Sequence, residues 1–160
     1  MHHFILFLLA ASVFMAMHAL QTDEEIAMHA LFQAKHAVNR AAHAAAQQLD
    51  QDKLALGVHS IDEGRAQAEA LRYLQDNLRL DTGNIPIPGS FWKTPMQVLS
   101  LVVINEDHVF PFVHLDPLYR YSVTLNRPGV ILIVRLEFPR TFRVLAPIVW
   151  EIKGTAELVY

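Results

Sequence analysis

The amino-acid sequence predicts an α+β fold: a long amino-terminal helix, a second helix, and a small antiparallel β-sheet head. Three observations predict it. The 160-residue chain has eight prolines, all at or after Pro86, and six glycines, none before Gly57, so residues 1–56 contain no helix breaker. The chain opens on an apolar run. After residue 85 it turns into short segments rich in Val, Ile, Leu and aromatic residues, which are typical of strands.

Composition excludes several classes of protein. The chain is 52% hydrophobic and 18% charged, so it is not disordered, and it lacks cysteine, which removes disulfide scaffolds, thiolate metal sites and cysteine nucleophiles. The formal net charge is -3, with 13 basic and 16 acidic residues. No basic stripe with interleaved aromatics is present, so no nucleic-acid partner is predicted.

The first element is the 17-residue segment Phe4–Leu20, in which only Ser12 and His18 are polar. As a helix it would measure about 25 Å, the short end of what spans a bilayer core of about 30 Å. A cleaved secretory signal and a buried helix of a soluble protein remain open alternatives. The residues expected to form the membrane span or filament core are Phe4, Ile5, Leu6, Phe7, Leu8, Leu9, Val13 and Phe14.

The charges that flank this segment predict its orientation. No Lys or Arg precedes residue 35, while Asp23, Glu24 and Glu25 follow the apolar run. The amino terminus is therefore expected inside and the head outside, as in a single-pass protein of the cell membrane.

The helical pattern continues beyond the apolar segment. Thr22 and Glu25 have capping-box spacing, which could start a separate helix, but no breaker separates the two parts. The sequence therefore predicts one rod from about Phe4 to Leu56, about 75 to 80 Å long. The predicted organisation is this helix in residues 1–56, a second helix and linker in 57–84, and a β-rich extracytoplasmic head in 85–160.

Small residues recur along one face of this helix with the alternating three and four spacing of a heptad seam. This spacing favours close packing against other helices, although alanine is also simply the best helix former. The predicted helix-packing seam consists of Ala27, Ala30, Ala34, Ala37, Ala41 and Ala44.

Three histidines, His29, His36 and His43, also repeat every seven residues. Neighbouring members lie about 10.5 Å apart along a helix, so one helix cannot chelate an ion with them. They could form a solvated face, a metal or cofactor site between subunits, or a pH-sensitive stripe packed against neighbouring chains. In the last case assembly should weaken as pH falls through about 6.5.

The stretch from Leu31 to Asp50 resembles the TadE/TadG-like proteins of tight-adherence (Tad) pili, which are similar to type IV pilins. Lys35 and Arg40 occupy the basic positions of that pattern, His43 stands where many relatives have Asp, and an alanine run follows at 44–46. The resemblance covers about a third of the chain and implies a pilin-like rod with an extracytoplasmic domain behind it. The basic leader and the fifth-position glutamate of type IV prepilins are not found near Phe4.

The remaining elements follow from local patterns. Ser60 and Glu63 predict a second helix that ends near Leu80, with an apolar stripe of Ala66, Ala70, Leu71, Leu74 and Leu78. Strands are expected over 97–105, 109–115, 119–126, 130–138, 142–152 and 155–160. In the third of these the apolar or aromatic residues alternate with polar ones, which predicts a strand with one solvated face: Tyr119, Tyr121, Val123 and Leu125 against Arg120, Ser122, Thr124 and Asn126. The turn at 126–129 predicts that the third and fourth of these strands form a hairpin.

The sequence contains none of the common hydrolase, zincin, dinucleotide-binding or nucleotide-binding motifs. It therefore predicts neither enzyme activity nor a cofactor. The densest polar cluster is interpreted as turn acids that flank a strand, with carboxylate catalysis or calcium binding as the alternative. Its members are Glu106, Asp107, His108, His114 and Asp116. Phe91, Trp92 and Trp150 could form a ligand patch, but core packing is the preferred interpretation.

The leading functional hypothesis is a structural subunit of a cell-surface, pilus-like filament that assembles through its long helix. Its partners would be copies of itself or related pilin-like subunits, and the membrane before assembly. A single-pass membrane-anchored binding module that stays monomeric, with an unidentified surface ligand, is the alternative. A secreted enzyme or lectin-like module is a third.

Overall fold

The computed structural model describes residues 2–140 and 146–159 and confirms the α+β fold. Helix α1 (His2–Ala46) is followed by the short α2 (Gln51–Ala55) and by α3 (Glu63–Leu78). Five strands follow: β1 (Gln97–Ile104), β2 (Phe112–Asp116), β3 (Tyr121–Leu125), β4 (Gly129–Phe138) and β5 (Ile148–Glu157).

Helix α1 is continuous through the acidic turn, because Thr22 lies inside the helix and its hydroxyl donates to the carbonyl of His18 at 2.9 Å. The capping-box interpretation of Thr22 and Glu25 is therefore wrong. The helix nevertheless ends at Ala46, not Leu56, and is about 68 Å long. Beyond it Leu49 forms an isolated β-bridge with Ile61, and the Asp50 side chain accepts from the backbone N–H groups of Asp52 and Lys53 and so caps the separate helix α2.

Helix α3, which is the second helix that the sequence predicts, begins at Glu63, because Asp62 and not Ser60 is its N-cap. The Asp62 side chain accepts from the N–H of Arg65 at 2.9 Å. The helix ends at Leu78, where Arg79 adopts a left-handed conformation. Four of the five residues of the predicted stripe are buried, namely Ala66, Ala70, Leu74 and Leu78, and the fifth, Leu71, is half-buried. This stripe packs on α1.

The strands form two sheets. One is antiparallel with the order β1-β4-β5, and the other is the hairpin β2-β3. The segments predicted at 142–152 and 155–160 join into the single strand β5, while 141–145 and 160 lie outside the described residues.

The predicted hairpin between the third and fourth strands is wrong, because β3 pairs with β2 and β4 pairs with β1 and β5. The physical reason is that β4 is apolar on both faces and therefore needs cover on both. Helices α1 and α3 cover one face, and the β2-β3 hairpin covers Ile131 and Ile133 on the other with Phe112, Tyr121 and Val123. Strand β3 can contribute to this cover only because it lies over the face of the sheet, and a strand paired beside β4 within the sheet could not.

Candidate functional site: a helix that is half exposed and half buried

The amino-terminal half of α1 projects away from the head. All eight residues predicted to form the membrane span or filament core are exposed, with exposed fractions that reach 67% for Phe4 and 68% for Phe14. Among the described residues, α1 is the one helix long and apolar enough to cross a membrane. This supports a membrane anchor weakly, since a signal sequence passes the same test.

Burial in the head begins at Asp23. Its carboxylate is 1% exposed and accepts a hydrogen bond from the Arg140 guanidinium at 3.0 Å. Arg140 also donates to the carbonyl of Ala146 at 2.8 Å. The ion pair thus ties Arg140, just after β4, and through it Ala146, just before β5, to the point where α1 leaves the head. Glu24 and Glu25, the next two residues, are exposed.

The alanine seam lies within the core of this chain. Ala27, Ala30, Ala34, Ala37 and Ala41 are buried against the head, and Ala44 is half-buried. Helix α1 packs on α3, β4 and β5 along this face. The seam therefore sets the spacing between α1 and its own head, and this face of the helix is not open to a second copy.

Close approach of α1 to β5 requires a glycine as well as the alanines. A Cβ atom at Gly154 would lie 2.8 Å from Cγ1 of Val38 and 3.2 Å from the Val38 carbonyl oxygen. Gly154 therefore lets the helix backbone lie directly on the strand. Sequence reasoning missed this role, because it depends on a contact between residues more than a hundred positions apart.

The histidine stripe faces solvent in the structure of the single chain. His29, His36 and His43 are all exposed, and no three His, Asp or Glu residues converge as metal ligands in the described part of the chain. Whether a neighbouring copy covers the stripe stays a prediction.

A groove runs beside the exposed edge of α1, where the helix meets the edge strand β5. It encloses about 360 Å³ and is lined mainly by apolar side chains. Its lining residues are Met28, Leu31, Phe32, Lys35, Trp150, Glu151, Ile152 and Lys153.

The polar cluster of residues 106–116 does not converge on one point. The carboxylate of Glu106 pairs with the ammonium group of Lys53, and hydrogen bonds from Lys53 and Ser60 lower the pKa of Glu106 to about 2. The carboxylate of Asp107 contacts Nδ1 of His108 at 2.9 Å. These groups hold loops and strand ends, as the turn interpretation predicts.

The other members of the cluster also have separate roles. Asp116 accepts from the backbone N–H groups of Leu118 and Tyr119, and so caps the turn after β2. His114 lies on β2, opposite Val123 of β3.

The aromatic residues form a packed series that runs from the surface at Phe91, which is 41% exposed, to the buried Phe138 and the partly buried Trp150. Phe91 meets Trp92 edge to face at 5.4 Å between ring centroids, Phe91 meets Phe138 at 5.9 Å, and Phe138 meets Trp150 at 5.6 Å. Trp92 is 4% exposed, which favours core packing over a ligand patch.

Searches against known protein families, curated proteins and solved structures found no match to this chain.

Proposed function

We propose that this chain is a membrane-anchored, pilin-like structural subunit that assembles into a cell-surface filament through its long helix. One observation carries the proposal. Helix α1 is unbroken over His2–Ala46, its first half is exposed and apolar, and its second half is part of the core of the head.

This arrangement suits a subunit that passes from membrane to filament. An exposed apolar surface of this size needs lipid or another protein surface to cover it. Before assembly the bilayer would cover residues 4–20, and after extraction neighbouring copies would cover the same residues. Because the second half of α1 is anchored in the head, the head moves with the helix as one body.

The topology in this proposal has the amino terminus inside and the head outside. The acidic turn at Glu24 and Glu25 would lie at the outer surface of the membrane. The resemblance to TadE/TadG-like proteins supports this assignment, and no catalytic role or cofactor is part of it.

The alternative, a monomeric anchored binding module, has one observation in its favour. The outer face of β2 and its flanking turns exposes a cluster of large apolar side chains. Val113 and Leu115 are 60% and 67% exposed, and Val109 and Leu118 are 87% and 78% exposed. Such a cluster on a head could bind a partner.

Membrane fractionation and electron microscopy of the sheared cell-surface fraction test the proposal together. The native chain should pellet with membranes, and filaments that carry it should appear in the sheared fraction. Val13→Arg, which places a charge at a cost of about 3 kcal/mol in the middle of the span, should lose both signals.

Gln21→Arg is the matched control, because the same charge at the end of the segment can reach the interface and should leave both signals intact. Membrane association without filaments would favour the anchored monomer. A Val13→Arg protein that behaves like the native chain in both fractions would contradict the anchor itself.

A further inference from the structure

We propose that the groove between α1 and β5 receives the apolar segment of α1 from a second copy of this chain, which lies parallel and is displaced along the axis by about four helical turns. This inference rests on the proposed function and names the contact surface of the subunit. The second copy would be the one closer to the outer end of the filament.

The position of the groove excludes lipid as its occupant. Met28 lies eight residues beyond Leu20, which places it about 12 Å above the end of the apolar segment. The headgroup layer on each side of a bilayer is only about 5 to 8 Å thick. The apolar lining of the groove, with Met28 50% and Phe32 54% exposed, therefore needs cover from protein.

The chain itself carries a segment of the right chemistry. The rings of Phe14 and His18 stack in parallel on one exposed face of α1, 6.3 Å apart between centroids. A displacement of fourteen residues, about 21 Å, brings this pair of rings level with Met28 and Phe32 of the lower copy. The apolar segment contains no Lys or Arg, so its entry buries no cation.

Charge complementarity fixes the direction of the displacement. The same shift brings Glu25 of the upper copy to within about one helical turn of Lys35 in the lower copy, which two long side chains can bridge. Both residues are exposed, and neither forms an ion pair with another described residue of its own chain. A shift in the opposite direction would separate them.

The contact joins two different surfaces of the chain. Phe14 and His18 lie in the apolar segment, whereas Met28 and Phe32 line the groove beside the head, about 21 Å further along the helix. A contact between unlike surfaces repeats from copy to copy and builds a filament, whereas a contact between like surfaces closes a dimer.

Disulfide cross-linking in cells tests the contact, and the absence of cysteine from the native chain makes every introduced cysteine a clean probe. The full-length double variant Phe14→Cys with Met28→Cys should form a ladder of covalent multimers. Within one helix these positions lie about 21 Å apart, too far for a disulfide, so every bond must join two chains. Phe14→Cys with His29→Cys is the matched control, because position 29 has nearly the same height but points about 100° away.

A ladder from the first pair and none from the control would support the contact. Filaments in the sheared fraction without a ladder would overturn this contact while the filament proposal stands. Membrane-bound protein with neither filaments nor cross-links would overturn both.

Charge reversal tests the register independently. Glu25→Lys and Lys35→Glu should each reduce the ladder of the Phe14→Cys, Met28→Cys chain, and the two reversals together should restore it. Glu24→Lys, one residue from Glu25 and about 100° around the helix, should leave the ladder unchanged. A ladder that is insensitive to every reversal, or one that the double reversal does not restore, would overturn the proposed pairing.

Discussion

The two halves of α1 belong to one unbroken helix but differ in side-chain size and have opposite surroundings. Residues 2–22 carry bulky side chains such as Phe7 and Phe14 on all sides and are exposed, whereas the half from Asp23 to Ala46 carries alanines on one face and is buried there. Small residues allow the helix backbone to lie close to the sheet, and bulky ones do not. One continuous helix can therefore be a head element and a projecting anchor at the same time.

The largest loss of stability is expected when Asp23, the residue at the boundary between the exposed and buried halves of α1, is replaced. Asp23→Ala leaves the Arg140 guanidinium, with a side chain only 16% exposed, without its carboxylate. Loss of one partner from a buried ion pair should lower the free energy of unfolding of the head by about 3 to 5 kcal/mol. Thermal unfolding of the full chain in detergent micelles, followed by near-UV circular dichroism, would measure it.

Glu24→Ala is the control for this change, because the neighbouring carboxylate is exposed and its loss should alter stability by no more than about 0.5 kcal/mol. Equal melting curves for the two variants would show that the Asp23–Arg140 pair does not hold the head to the helix.

The buried half also depends on the loop that follows it, and Asn105 holds that loop. The Asn105 amide accepts from the N–H of Ile61 at 2.8 Å and donates to the carbonyl of Ile61 at 3.0 Å. Asn105→Ala leaves two buried backbone groups without partners and should cost about 2 to 4 kcal/mol in denaturant unfolding. Asn126→Ala removes an exposed asparagine and should lower the free energy of unfolding far less. An equal loss of stability in both variants would contradict a special role for the hydrogen bonds between Asn105 and Ile61.

The same substitution in each half tests the packing difference directly. Ala37 is 2% exposed, so Ala37→Leu should overpack the interface between helix and head and destabilise the fold by about 1 to 3 kcal/mol. Ala16 is exposed, so Ala16→Leu should leave the melting temperature of the head unchanged. If Ala37→Leu changed only filament assembly and not stability, the seam would pack between copies after all.

The smallest expected effect belongs to the exposed pair of Lys53 and Glu106, which lies in the head away from the projecting half. Hydrogen bonds from Lys53, the larger cause, and from Ser60 lower the pKa of Glu106 from 4.5 to about 2, so these contacts stabilise the fold fully above the unfolded-state pKa. That contribution is lost as pH falls from about 4.5 through about 2. The effect is smaller than the others because solvent screens exposed pairs.

Unfolding curves recorded between pH 5 and pH 2 would show this as a steeper loss of stability in the native chain than in Glu106→Gln. Parallel curves for the two proteins would contradict the assignment. The membrane association of the projecting half should not change in either protein over this range.

Several elements could be predicted because they depend on neighbouring residues. The stripe of α3 and the alternation of Tyr121, Ser122, Val123 and Thr124 are local patterns, and the structure places both as predicted. The pairing of β3 could not be predicted in the same way. Its turn residues fit a hairpin with β4, but the need to cover Ile131 and Ile133 outweighs turn chemistry.

The features of the helix also fall into two groups, those that neighbouring residues predict and those that depend on distant contacts. The apolar character of residues 4–20 follows from composition alone, but their exposure in the single chain does not, because a helix that is apolar on all sides could equally be buried in a core. The burial of Asp23, by contrast, depends on Arg140, which is 117 residues away. Acidic neighbours at 24 and 25 gave no signal that the first carboxylate would be buried.

Local patterns alone predict a long, unbroken, apolar helix followed by strands, because helix propensity, breakers and hydropathy act over a few residues. The end of the helix at Ala46, the burial of its alanine face in its own head, and the roles of Gly154 and Arg140 in that packing are visible only in the folded chain. Those outcomes depend on contacts between distant parts of the chain, where the cover that β4 requires and the packing of α1 on β5 select one arrangement among several that the local patterns allow.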